Sequence, residues 1–171
     1  MKVKSMVMQM KSITIAEIEQ IKGYTEVKYD KEASKYPLPR WYESIRRKTL
    51  AELSILDLTK CMRQSIFLDF IGWEVLRRLQ DDLFLGYMVE GELLLQLSYL
   101  KDYWEKDVLM REEIVRLINK ISKQDLLQEG LNTHQISMFG CEDIKRALFV
   151  LVKELGLSQP YLEAYEHTDG E

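Results

Sequence analysis

The chain has 171 residues, 46% of them apolar, with 24 Lys and Arg against 28 Asp and Glu and a formal charge of -4. That balance excludes a disordered polyelectrolyte, and at this length roughly 70% of the unfolded surface can be hidden, enough for one domain with a core that needs neither disulfide nor metal. The mild acidity argues against a nucleic acid partner and points towards a cationic protein partner or none.

The opening stretch, Met1 to Met10, has two lysines but no continuous apolar run and no small-residue cleavage site, so it does not read as a signal peptide. Between Tyr24 and Arg40 the chain is charged. Thr25 to Tyr29 alternates for five residues only, with nothing to pair with, and reads as extended chain. Tyr36-Pro37-Leu38-Pro39 disfavours helix before each proline and reads as a connector. Residues 1–40 are therefore expected to form an N-terminal helix and extended arm packing on a body formed by residues 41–171, one globular unit overall.

From there the pattern is helical. Ser54 and Asp57 make a Ser-x-x-Asp start signal, in which the hydroxyl accepts a free first-turn amide and the carboxylate favours the positive helix end. Ile55, Leu58 and Met62 follow on one face. Phe67, Ile71, Val75 and Leu79 recur every four residues, and Asp81-Asp82 ends that helix and opens a turn. Glu90 and Glu92 fall in the first turn of a further helix through Leu93 to Leu97. Met110, Ile114, Leu117, Ile118 and Ile121 predict another, and Ile144, Leu148, Leu151, Val152 and Leu155 the last, with Gly156 where a left-handed cap belongs. The fold class is all-α, a single-domain compact helical bundle with an extended N-terminal arm. The longest uncharged apolar run, Ala147 to Val152, is far short of the ~20 residues that cross a bilayer. Cys61 and Cys141 have no partner at metal or redox spacing, so reduced thiols in the cytoplasm are expected.

Signatures of catalysis are thin. No two glycines fall at Gly-x-Gly spacing and no phosphate-binding Gly-x-x-x-x-Gly-Lys occurs. His134 and His167 are the two histidines; with Cys141, His134 supplies two metal ligands where a structural zinc needs four, so no metal and no cofactor is expected. The pairs Asp81-Asp82 and Glu90 with Glu92 would serve a carboxylate-dependent hydrolase only if burial separated their pKa values. Trp41-Tyr42 beside Arg46-Arg47-Lys48 could stack and neutralise a nucleic acid strand, but a helix with its aromatics inward and its basic residues in water explains it more simply. Phe70, Trp73, Phe84, Tyr87, Tyr99, Tyr103 and Trp104 fall at spacings that pack helix on helix and are expected in the core.

Charge is unevenly placed. Residues 1–63 carry a net +5 and residues 64–171 a net -9. Within the acidic part, Asp81, Asp82, Glu90, Glu92, Asp102, Glu105 and Asp107 face only Lys101 and Lys106. Solvated helix faces account for many such clusters; a surface for a cationic partner is the functional alternative.

One order of elements stands out: Leu50, Leu53 and Ser54 at a helix start with Asp57 in its first turn, Arg63-Gln64 at its end, then an apolar helix, then Gly91-Glu92-Leu93-Leu94 and finally Trp104. Over residues 45 to 122 this resembles the helical immunity proteins of bacterial contact-dependent growth inhibition systems, departing at Ile71-Gly72-Trp73, where relatives more often carry a proline, and at Glu92, where Asp is commoner. The resemblance implies a cytoplasmic, non-enzymatic protein that binds and neutralises a cognate toxin C-terminal domain, commonly a nuclease. A nuclease holds phosphates with Lys and Arg, and an acidic face suits that cleft. The expected partner-binding residues, chosen from charge, are Asp81, Asp82, Tyr87, Glu90, Glu92, Asp102, Tyr103, Glu105 and Asp107, with Tyr99 as a further aromatic anchor. Reversing Glu90 and Glu92 should then weaken binding at little cost in stability. Arg63 and Gln64 are expected to satisfy carbonyls at a helix end, and Trp104 to fill the core. The competing readings are a helical scaffold or regulatory module with another partner, and the small hydrolase.

Overall fold

A computed structural model describes residues 10–24, 35–123 and 138–157. Its elements are α1 (Ile15–Ile21), α2 (Pro37–Ile45), a 3-10 turn (Leu50–Glu52), α3 (Ile55–Arg63), α4 (Leu68–Asp81), α5 (Glu92–Leu95), a second 3-10 turn (Gln96–Leu100), α6 (Lys101–Trp104), α7 (Val108–Lys123) and α8 (Met138–Glu154). Among the described residues there is no strand, and one isolated antiparallel bridge joins Thr14 to Thr49. The all-α expectation holds. Thr25 to Tyr29, His134 and His167 lie outside the described residues, as does the side chain of Cys141.

Three capping boxes set the N-terminal half. Thr14 with Glu17 opens α1, Thr49 with Glu52 the first 3-10 turn, and Ser54 with Asp57 opens α3. Each acid accepts the N–H of its own cap residue, at 2.7 Å in the first box, 2.8 Å in the second and 3.0 Å in the third. The Tyr36-Pro37-Leu38-Pro39 stretch is not a connector throughout. Tyr36 is extended, as a residue before proline should be, but α2 begins at Pro37. In a first turn the N–H that proline lacks has no intrahelical acceptor to lose, so both prolines fit there.

The core gathers around α5 and the 3-10 turn that follows it, which pack against α3, α4 and α8. Leu93, Leu94, Leu97, Leu100 and Trp104 from this centre meet Leu58 and Met62 of α3, Ile71, Val75 and Leu79 of α4, Ile114 and Leu117 of α7, and Leu148 and Val152 of α8 in one continuous cluster. Helices α4 and α7 run side by side in the same direction. Gly72, near the start of α4, faces Leu100 and Met110, and a methyl added there would come within 2.9 Å of Leu100 Cδ2; at the other end, Lys120 Nζ donates to the Gln80 carbonyl at 2.7 Å. Phe84 and Tyr103 pack partly buried against this core and Trp73 and Trp104 lie within it, but Tyr87 and Tyr99 are exposed, against expectation. Their helical spacing to other aromatics had no consequence because Tyr87 lies on a loop and Tyr99 on a short 3-10 turn.

Candidate functional site

Four carboxylates are buried, and each is met by specific donors. Glu19 accepts from the Tyr42 hydroxyl at 2.8 Å and from Arg46 through two nitrogens, the closest at 2.7 Å. Burial and that hydrogen bond push the Tyr42 phenol well above its ordinary value. Asp57 accepts from Trp41 Nε1 at 2.8 Å and Lys48 Nζ at 2.9 Å as well as from its capping partner. Burial alone raises the Asp57 carboxyl, but the bonds from Lys48, Trp41 and Ser54 outweigh it and hold the group at about 2. Glu74 binds Arg77 and Arg78, and Arg78 also donates to the carbonyls of Ala51 and Leu53, tying α4 to the first 3-10 turn. The basic residues beside Trp41-Tyr42 are thus not simply side chains in water: Arg46 and Lys48 pair with Glu19 and Asp57, and Arg47 is the exposed one.

The fourth buried carboxylate is Glu92, 3% exposed. It pairs with Arg63, accepts from the Gln96 side chain at 3.4 Å, and takes the backbone N–H groups of Tyr87 and Met88 at 3.0 and 2.9 Å. Two expectations change here. Glu92 cannot meet a partner as a surface charge, and reversing it would strip Arg63 and two loop amides of their acceptor. Arg63 reaches across to α5, and the carbonyls at the end of α3 are met by backbone N–H groups, Gln64 to Lys60 O, Ser65 to Met62 O and Ile66 to Cys61 O. Trp104 fills the core as expected, 2% exposed. Asp81 and Asp82 end α4, and Asp82 Oδ1 accepts the Phe84 N–H at 2.8 Å.

A second feature is an open cleft of about 360 Å³ at the shared N-terminal end of α4 and α7, lined by Asp69, Asp102, Tyr103, Lys106, Asp107 and Met110. It brings together three of the sequence-predicted residues, Asp102, Tyr103 and Asp107. Asp69 is held by Lys22 at 2.5 Å, and that bond raises the Lys22 pKa. Asp107 caps α7, accepting from the Leu109 and Met110 N–H groups at 3.0 and 3.2 Å. Asp102 and Glu105 are exposed and make no ion pair among the described residues.

The predicted residues do not form one patch. Asp81 lies twelve residues along α4 from the cleft residue Asp69, about 18 Å at 1.5 Å per residue. Asp81, Asp82, Tyr87 and Glu90 therefore mark one end of α4, and Asp102, Tyr103, Glu105 and Asp107 the other. Sequence reasoning missed Met88 and Val89, exposed beside Tyr87, although an apolar triplet between Gly86 and Gly91 was a readable signal for a presented loop. It also missed Glu74, despite arginines three and four residues later.

Among the described residues no group of three or more His, Cys, Asp and Glu side chains could hold a metal ion, and no helix is long and apolar enough to cross a membrane. Burial, with the Asp57 charge adding, pushes the Cys61 thiol up to about 12. No curated protein and no solved structure matches the chain. The model of a family described as CDI immunity proteins matches residues 23–114, from just after α1 through the first part of α7. That span starts earlier and stops earlier than the resemblance over residues 45 to 122, and it contains the Arg63–Glu92 pair, the cleft and the loop between α4 and α5. With more than half of its length matched, this chain belongs to the CDI immunity proteins, the family that protects cells against contact-dependent growth inhibition.

Proposed function

We propose that this chain works in the cytoplasm without catalysis of its own, binding the C-terminal toxin domain of its cognate inhibition system, and that this toxin is a nuclease whose basic cleft is met by exposed carboxylates. The observation that carries the proposal is the placement of charge. The buried acids Glu74 and Glu92 are matched within the fold by Arg77, Arg78 and Arg63, whereas Asp82, Asp102 and Glu105 face solvent and Asp81, 79% exposed, meets Arg77 only at 3.7 Å. Internal pairing therefore does not consume the acidity of residues 64–171. Glu74 and Glu92 drop out of that region's charge together with Arg77 and Arg78, and its net -9 stands. Exposed charge of one sign accelerates encounter with a basic surface and falls off with salt. Asp102, Tyr103, Glu105 and Asp107 form one contact region at the cleft, and Asp81, Asp82, Tyr87 and Glu90 a second at the far end of α4.

The test is calorimetric titration of the protein against the toxin domain encoded beside its gene, followed by a nuclease assay on that domain with and without it. One-to-one binding that abolishes cleavage, with an association rate that drops as salt rises and in the triple variant Asp81→Lys, Asp102→Lys, Glu105→Lys, is the expected result. Full affinity and an unchanged rate in that variant would overturn the acidic contact, and a toxin that cleaves no nucleic acid would overturn the nuclease assignment.

A further inference from the structure

The loop joining α4 to α5 is built unlike a solvated connection. Its stem is closed twice on the backbone, by Gly91 N–H to Phe84 O at 2.9 Å and Leu93 N–H to Leu85 O at 3.1 Å, while Leu83 beneath it is buried. The Glu92 carboxylate enters from below, takes the Tyr87 and Met88 N–H groups and is itself neutralised by Arg63. Gly86 and Gly91 make the path possible: a methyl on Gly86 would fall 1.8 Å from Val89 O, and one on Gly91, at φ +73°, would fall 2.5 Å from Ile144 Cγ1. The result is a fixed tip of three consecutive apolar side chains pointed at water, Tyr87 at 55%, Met88 at 68% and Val89 at 45% exposure.

A buried carboxylate, paired with the half-exposed Arg63, beneath an exposed apolar tip points to a surface shaped for a partner. Tyrosine and methionine give large or adaptable contact area, and a loop already ordered loses little further entropy on binding. The charge around the tip selects the occupant. No Lys or Arg occurs from residue 79 to residue 100, while Asp81, 79% exposed, and Asp82 stand at the root of the loop and Glu90 at its side. We infer that the Tyr87-Met88-Val89 tip is the anchor that enters an apolar pocket rimmed by Lys or Arg on the cognate toxin domain, and that Arg63 and Glu92 are positioning residues that hold it in shape. This inference rests on the toxin-binding reading above and adds the residues that set affinity as distinct from those that set encounter rate.

The experiment uses the full chain and the toxin domain encoded beside it, with binding followed by calorimetry and by stopped-flow association. The double variant Tyr87→Ala, Met88→Ala should retain its thermal midpoint and bind at least about 100-fold more weakly, the loss lying in dissociation and not in association, since one anchor residue is worth roughly 30-fold. Met88→Glu alone places a like charge on the tip without touching the core and should show the same loss. Binding of both variants within a few-fold of the unmodified protein would overturn the anchor while leaving toxin binding intact. Failure of the unmodified protein to bind the toxin domain would overturn both.

Discussion

Replacing Asp57 with Asn tests how much stability the fold draws from a single buried carboxylate. In the folded protein the group titrates at about 2 against an ordinary value of 3.8, and the cause is visible: Lys48 and the Ser54 N–H both bond Oδ2, and Trp41 Nε1 bonds Oδ1. A depression of nearly two units corresponds to roughly 2 kcal/mol favouring the folded state at neutral pH. Asn can still receive the Trp41 N–H through its oxygen, but its amide then faces Lys48 and the Ser54 N–H with a donor. Lys48 is half-exposed and can turn to water, whereas the cap N–H loses its acceptor, a loss already contained in that figure because the Ser54 bond is one of those that depress the pKa. Asp57→Asn should therefore lose about 2 kcal/mol at pH 7, a fall in Tm of about 4 to 8 °C for a chain of this size.

The sign of the pH dependence follows from the direction of the shift. Because the folded pKa is depressed, the charge contribution is complete above the unfolded value and disappears as pH falls through the folded one. It shrinks to about 1 kcal/mol near pH 3 and is nearly gone below about pH 2. Urea unfolding of both proteins at pH 7 and pH 3 measures this, and the gap between them should narrow by roughly 1 kcal/mol on acidification. A loss below about 1 kcal/mol at pH 7, or a gap of equal size at both pH values, would show that Lys48, Trp41 and Ser54 do not hold the carboxylate as described.

Other perturbations separate the core from the surface. Trp104→Ala should cost about 3 to 5 kcal/mol, read by the same urea titration, because the ring is 2% exposed at the junction of α6 with the core. Cys61, fully buried with a thiol pushed up to about 12, should resist a maleimide in native Cys141→Ser protein and label fully in urea. Gly86→Ala should displace the loop tip, seen as loss of amide exchange protection at Tyr87 and Met88, whose N–H groups would leave the Glu92 carboxylate.

The helices were legible because burial leaves a periodic trace: Phe67, Ile71, Val75 and Leu79 announce the inner face of α4, and Ser54 with Asp57 announces the start of α3. What escaped was the use of charge. Counting carboxylates treats Glu90 and Glu92 alike, since both flank a glycine and both precede leucines, yet Glu92 lies beneath the loop with Arg63 and Glu90 does not. That distinction depends on α3 and α5 approaching from 29 residues apart, a contact no local spacing encodes. The same holds for Arg46 and Glu19, 27 residues apart, whose pairing turns an apparent basic patch into an internal joint between α1 and α2.

Sorting the charges by burial changes what the surface offers. Glu19, Asp57, Glu74 and Glu92 are paired with Arg46, Lys48, Arg63, Arg77 and Arg78, a set that sums to +1, so the remaining residues carry -5, more acidic than the whole chain at -4. The family match also leaves all of α1 and all of α8 outside its span, although α1 supplies Glu19 to α2 and α8 supplies Ile144 against Gly91. The matched segment is thus not a self-sufficient unit. Its loop is braced by Ile144 of α8 against Gly91 from one side and by the Arg63–Glu92 pair from the other, so a change at Ile144 should shift the Tyr87-Met88-Val89 tip through Gly91.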